Sequence, residues 1–528
     1  MRSKSTVDHV KFRINQELSS RQVVRGLRIL HDPVEREWQD RHVFHRDVLQ
    51  IRRLTDSPPH SVTCQTWTTV TDDDELASHL ISIWLTWDKP WYNWMDEHLF
   101  LRDMRRGMLH SDYCSPFLVN AVLAWACPYS DYHEARTKDG AVSVLMKCFI
   151  VEARHLIEEE MKNPPNLPTV QGLTFLYLAL ALSGQDRLGY QSMVQTIAMC
   201  EELERSPPKT YGSEEDAQDL ERTIALTCWG VYNMTTASFT SFMRPQIMRK
   251  PKSSPPTPRY NGTWTPYPRQ ADPILGYNDE LFHVYCDVQV IAAELTQLLF
   301  DDTSTLSKSV QEAKVITLCR QLLERLDSMP AHLQLREGAP ASVLAHHVWY
   351  QVIILRMYLA VQTPDHNQIL AKRSRSLCID TAVRVAEIVR LHVRSYGCEL
   401  MINMYTQACS LALYTLLDAP NTSENHLAIT TLCVCLRALS KRWPMVMGIL
   451  RMVQHYAKQV RYTLPLDADR LLVGFEDDWN RRQTRRLISI YPQPAVAANS
   501  TLGSVDVKDM SRFLEQMEGL NLDDTQNA

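Results

Sequence analysis

Apolar residues recur at three- and four-residue intervals along most of this chain, and short polar stretches divide the pattern into helical segments. The first strong segment follows Thr71-Asp72-Asp73-Asp74-Glu75, a run of acids suited to the N–H groups and positive dipole end of a helix start. Leu76, Leu80, Ile83, Trp84 and Trp87 then share one face, until Pro90 ends the run. A second helix is predicted from Ser115-Pro116 to Trp125, and a third over 141–161. Thr169 is placed to cap the next, whose apolar residues run nearly all round it, so that it should be central and buried. Gly184 stands where a C′ glycine would end it. Later segments are expected near 309–327, 340–361, 371–394, 399–417, 425–440 and 444–462. Period-two strands are not readable, so the expected fold class is all-α, a large body of about fifteen helices.

Three stretches break this pattern. Residues 1–54 form a helical, linker-type region in which twelve basic residues stand among seven acidic ones, a solvated face. Between Pro245 and Pro273 there are eight prolines; proline lacks an N–H donor, so 244–276 should be an irregular excursion over the surface. The main body is thus assigned to 55–465, and 466–528 to a polar tail with Arg481, Arg482, Arg485 and Arg486 as a basic patch. Within the tail, 506–528 is an acidic amphipathic segment. Met510, Phe513, Leu514, Met517 and Leu520 recur there at helical spacing among six acids and two bases. Such a stripe suits either a partner's groove or the chain's own body.

Composition narrows the function. Only 16 of 528 residues are glycine, which disfavours Gly-rich phosphate cradles and tight hairpins. A net charge of −5 excludes nucleic-acid binding by bulk positive charge. The 13 cysteines are scattered through apolar patterns and read as free thiols of a reducing compartment. The start of the sequence shows no signal peptide, and the longest apolar runs, near 175–182 and 352–355, are too short to span a membrane. No membrane association is expected.

The usual nucleotide, hydrolase and zinc motifs are missing. His346-His347 lacks a second ligand pair, and Cys433-Val-Cys435 sits in apolar surroundings. The acidic runs at Asp72–Glu75, Asp301-Asp302 and Asp477-Asp478 do not make the paired magnesium sites of an all-α cyclase. No catalytic, cofactor, metal or DNA-binding residue is assigned.

Several ordered blocks resemble the fungal-specific transcription factor domain, the middle homology region of fungal zinc-cluster regulators. They are Trp67 through Leu80, Trp84-Leu-Thr-Trp-Asp-Lys-Pro90 and Phe100-Leu-Arg-Asp-Met104. The most specific is Tyr113-Cys-Ser-Pro-Phe-Leu-Val-Asn-Ala-Val-Leu-Ala-Trp-Ala-Cys127. Glu152-Ala-Arg154, Pro168-Thr-Val-Gln171, Cys228-Trp-Gly230, Arg244-Pro245, Tyr350 to Arg356 and Leu439-Ser-Lys-Arg-Trp-Pro444 continue in the family's order. The first blocks are closest to the branch containing nitrate-assimilation regulators. Met243 stands where many members have the glycine of Gly-Arg-Pro, and Met357 where a proline follows Arg356.

The resemblance implies a nuclear regulator of RNA polymerase II transcription, specific to a pathway such as nitrogen or secondary metabolism. Its partners would be the transcription machinery or related zinc-cluster regulators, with a small-molecule effector. The family's six-cysteine module, which holds zinc and reads DNA, would lie before the middle domain; here the first cysteine is Cys64. Zinc and direct DNA binding are therefore expected only if such a module precedes this sequence, and otherwise DNA is reached through a partner. The competing expectation is an all-α lyase or cyclase of a biosynthetic gene cluster. An effector pocket is conceivable between the helices of Trp125 and Trp229, although both tryptophans suit a core.

Overall fold

The computed structural model describes residues 57–109, 111–135, 143–205, 213–257, 262–268, 272–301, 305–360, 368–481, 487, 489–492 and 509–514. The linker-type region 1–54 and the positions of Met517 and Leu520 lie outside them. The described chain is helical nearly throughout, as its periodicity predicts.

Helix α1 (Asp74–Trp87) begins where Asp73 accepts from the backbone N–H groups of Glu75 and Leu76, while Asp74 accepts from Cys64 N at 2.7 Å. The acidic run is thereby used in capping. Pro90 does not stop the chain's helical course outright; it sits in the first turn of a short α2 (Lys89–Tyr92), where its missing N–H costs nothing. Next come α3 (Glu97–Arg106), α4 (Pro116–Ala126), α5 (Val144–Glu160) and α6 (Leu167–Leu180). Thr169 is not the cap of α6. Asn166 is, accepting from Thr169 N, because Pro168 fits the first turn and moves the start upstream. All of α6 is buried, as its all-round apolarity requires.

A wide turn at Ala181–Gln185, with Gly184 at φ +79°, leads into α7 (Asp186–Arg205). The combined stretch Leu167–Arg205 is long and apolar enough to cross a membrane, contrary to the short-run reading, but 94% of its most apolar window is buried inside the protein. It is the central helix pair of the core.

Helix α8 (Glu214–Phe242) ends at Met243, which holds φ +54°. A residue with a side chain thus occupies the left-handed position where the family favours glycine. The described residues of the excursion that follows are non-helical, with a two-residue antiparallel ladder pairing β1 (Thr263–Trp264) with β2 (Ile274–Leu275). It does not merely cross the surface. Trp264 and Tyr267 are buried, Trp264 Nε1 donates to Thr86 O, and Tyr267 OH pairs with His79 Nδ1 at 2.7 Å. Aromatic side chains in a proline-rich stretch thus pin it to α1.

The second half contains α9 (Asn278–Phe300), α10 (Lys308–Asp327), α11 (Ala341–Ala360), α12 (Gln368–Tyr396), α13 (Met404–Leu417), α14 (Ser423–Ser440) and α15 (Pro444–Gln459). A further helix, α16 (Leu466–Arg481), occupies the start of the stretch read as polar tail and packs on α14. Helix α8 packs on α9, α9 on α11, and α11 on α12 and α13. Helix α15 packs against the Ala181–Gln185 turn, which closes the two halves on each other. Trp125 of α4 and Trp443 before α15 meet across this junction, their ring centroids 5.1 Å apart.

Candidate functional site

The histidine and cysteine pairs singled out in the sequence are buried, and both histidines are engaged by backbone carbonyls. His346 Nδ1 lies 2.6 Å from Ser342 O and His347 Nε2 lies 2.8 Å from Leu333 O, so both histidines face backbone acceptors. Burial holds both below the usual histidine range, His346 at about 4. Cys433 and Cys435 are buried thiols. Among the described residues no group of three or more His, Cys, Asp and Glu side chains is arranged to hold a metal ion.

Trp125 and Trp229 are engaged separately by hydrogen bonds to different partners. Trp125 is fully buried and donates through Nε1 to Asp88 Oδ2 at 2.8 Å, with Tyr129 OH donating to the other oxygen. Burial raises the Asp88 carboxyl to about 7, opposed by those two donors. Trp229 lies elsewhere, donating to Ser253 O, beside a shallow cavity of about 140 Å³ lined by Cys200, Cys228, Arg249 and Lys250. Its carboxylates, Glu201 and Glu204, already accept from the backbone of the excursion.

The most developed polar arrangement lies where the last described residues meet the body. Asp186, first residue of α7, accepts from Ser489 Oγ at 3.1 Å and Ile490 N at 3.0 Å. Its carboxyl is raised to about 7 because burial outweighs these hydrogen bonds. Ser489 and Tyr491 then pair with the amphipathic segment: Met510 N donates to Tyr491 O at 2.8 Å, and Ser511 Oγ donates to Leu487 O at 2.7 Å.

Met510, Phe513 and Leu514 are buried against the body. Two glycines make room for this segment. A Cβ on Gly184 would collide with the Leu487 side chain, and one on Gly448 of α15 would collide with Met510 and Leu487. Beneath the segment, Tyr491 OH donates to Gln407 Oε1 of α13. The sequence signalled the apolar stripe, but nothing local in it marked Asp186, Gly448 or Tyr491 as its seat.

Comparison with known proteins bears on what this body is. Residues 81–270, from within α1 to the β1 side of the excursion, match the model of the fungal specific transcription factor domain. Over those residues the chain is similar to that domain. It is also similar to three fungal regulators, the first being the Notoamide biosynthesis transcriptional activator notL' of Aspergillus versicolor. That protein is 27% identical over 88% of this chain and 78% of its own length. The Nitrogen assimilation transcription factor nirA of Emericella nidulans is 26% identical over 84% of this chain. The Nitrogen assimilation transcription factor nit-4 of Neurospora crassa is 22% identical over 80%. This chain spans 52% of nirA and 40% of nit-4. No solved structure matches it.

The domain's matched part covers α1 to α8, including Asp88, Trp125 and Asp186, whereas Arg356, Gln407, Gly448 and Tyr491 lie beyond it. The packing of the C-terminal segment described above therefore joins the matched region to helices downstream of it.

Proposed function

We propose that this protein is a pathway-specific regulator of RNA polymerase II transcription, acting in the nucleus through its all-α body. The segment bearing Met510, Phe513, Leu514, Met517 and Leu520 is its partner-binding element. The observation that carries this reading is the seat of that segment: buried apolar side chains on glycine-made hollows, held by a carboxylate, Asp186, whose own charge is poorly compensated. An interface built partly on a strained charge is easier to open than a uniformly apolar one. When open, it would offer an acidic amphipathic stripe to the transcription machinery or to a related zinc-cluster regulator. DNA is reached through a zinc-cluster module or through that partner.

A regulator is favoured over a lyase or cyclase because the acids at Asp73 and Asp74 are consumed in capping α1 and bonding Cys64 N. The test is to tether the chain to a heterologous DNA-binding module upstream of a reporter gene. The proposal predicts a change in reporter transcription relative to the module alone; an unchanged output would contradict it.

A further inference from the structure

Cys200, in the last turns of α7, and Cys228, in the middle of α8, meet where these two helices pack: Cys228 Sγ lies 3.8 Å from Cys200 O. Both line the shallow cavity of about 140 Å³ beside Trp229, which has room for several water-sized molecules. Both are otherwise deeply buried, so the cavity is the approach to them. The Cys200 thiol is held well above the ordinary thiol range, first by the Cys228 thiol beside it and then by burial. Of the two, Cys200 is therefore the one that keeps its proton, and Cys228 is the one placed to react first.

The rest of the lining is mostly charged. Arg205, Arg249, Lys250 and Lys252 bring positive side chains to the cavity, against the two carboxylates Glu201 and Glu204. Glu201 accepts from Arg249 N at 3.3 Å, and Glu204 accepts from Lys252 N at 2.6 Å and Ser253 N at 3.3 Å, so both acids are turned to backbone donors. An electropositive, partly open setting favours thiolate and marks a cysteine that reacts, whereas a cysteine packed into apolar surroundings is inert.

We propose that Cys200 and Cys228 are a redox modification site, a dithiol that hydrogen peroxide entering the cavity converts to a disulfide. The Cys228 thiolate attacks one peroxide oxygen: the S–O bond forms, the O–O bond breaks, and the departing hydroxide takes the Cys228 proton as water, leaving a sulfenic acid. The Cys200 sulfur then attacks the Cys228 sulfur: the S–S bond forms, the S–O bond breaks, and hydroxide leaves with the Cys200 proton as a second water. The two thiols lose two electrons, and the peroxide is reduced to two waters. Exchange with small thiols reverses the bond, as befits a disulfide in a reducing compartment. The cross-link ties α7, the helix that begins at Asp186, to α8. It goes beyond the regulatory reading and does not depend on it.

The experiment exposes the purified, fully reduced chain to hydrogen peroxide, alkylates the remaining thiols and maps the peptides by mass spectrometry without reduction. The expected product is a Cys200–Cys228 cross-linked peptide, lighter by two hydrogens than its two parts. Two of the 13 thiols are lost with it, and dithiothreitol restores both. Cys200→Ala should stop the reaction at the sulfenic acid of Cys228, captured by dimedone, while Cys228→Ala should give no dimedone adduct at Cys200. Lys250→Gln combined with Lys252→Gln changes only exposed side chains, and should slow cross-linking several-fold with an unchanged far-UV circular dichroism spectrum. Two results overturn the site. One is oxidation of the half-buried Cys148 and Cys398 while Cys200 and Cys228 stay open to alkylation; the other is cross-linking confined to other cysteines.

Discussion

Gly448 of α15 lies directly against the thioether of Met510, so that a single hydrogen at this helical position makes the room in which the C-terminal segment sits. The glycine is helical and internal to α15, where alanine would favour the helix by about 1 kcal/mol. Its retention of space therefore matters to Met510 rather than to α15.

Gly448→Leu should leave the helix content unchanged while displacing Met510 and Leu487. Overpacking of this kind costs about 1–3 kcal/mol. Hydrogen exchange should show faster exchange at Met510 and Ser511, whose N–H groups bond Tyr491 O and Ser489 O, with α4 and α6 unaffected. Equal protection in variant and parent would show that the segment is seated some other way.

Trp125→Phe tests the junction between the halves. The substitution keeps an aromatic ring but removes the Nε1–H donated to Asp88, leaving a buried carboxylate with Tyr129 alone. A loss of about 1–3 kcal/mol is expected in denaturant unfolding, the cost of an unsatisfied buried group. Trp125→Ala should cost more, about 3–5 kcal/mol, because it also opens a cavity beside Trp443.

Asp88 and Asp186 make stability fall as pH rises. Each carboxyl titrates at about 7 in the folded protein against an ordinary value of 3.8, so between these limits the folded state binds the extra proton. Their contribution is largest below about pH 4 and is lost as pH rises through about 7. Asp88→Asn cannot ionise, so the stability of the variant relative to the parent should improve from about pH 4 to about pH 7 and level off above that. A pH-independent difference would contradict the burial of an uncompensated carboxyl.

His392 acts in the opposite sense. Burial depresses it to about 3, with Tyr405 OH beside Nδ1 at 3.0 Å, while the unfolded value is 6.5. The unfolded chain then binds the extra proton, and stability present above about 6.5 is lost as pH falls toward 3. His392→Phe should flatten the acid limb of the stability profile, measured as denaturant midpoints across pH. An unchanged limb would assign the acid sensitivity to other groups.

Much of this architecture is legible in the chain because local and tertiary demands agree. Asp73 caps α1, α6 is apolar all round and fully buried, and Pro444 opens α15 as its position suggests. Local signals misplace features where a neighbour decides. Thr169 has the chemistry of a cap, yet Pro168 fixes the start of α6 at Asn166. Trp264 and Tyr267 lie in a proline-rich stretch that reads as surface, and partners distant in sequence, the carbonyl of Thr86 and the rings of His79, Trp87 and Tyr396, draw them inward. The stripe of Met510, Phe513 and Leu514 was visible as a docking face, but its seat is assembled from Gly184, Asp186, Gln407 and Gly448. Those residues are distant in sequence and individually ordinary. Arg356 has the same property: nothing in its surroundings along the chain reveals that it is buried without a carboxylate.

The most direct test of the account is reporter transcription by the tethered chain with and without Gly448→Leu, at matched protein levels. If the seated C-terminal segment restrains a partner-binding stripe, unseating it raises output above the parent's. Output equal to or below the parent's, from a variant that exchange measurements show to be unseated, would contradict the account.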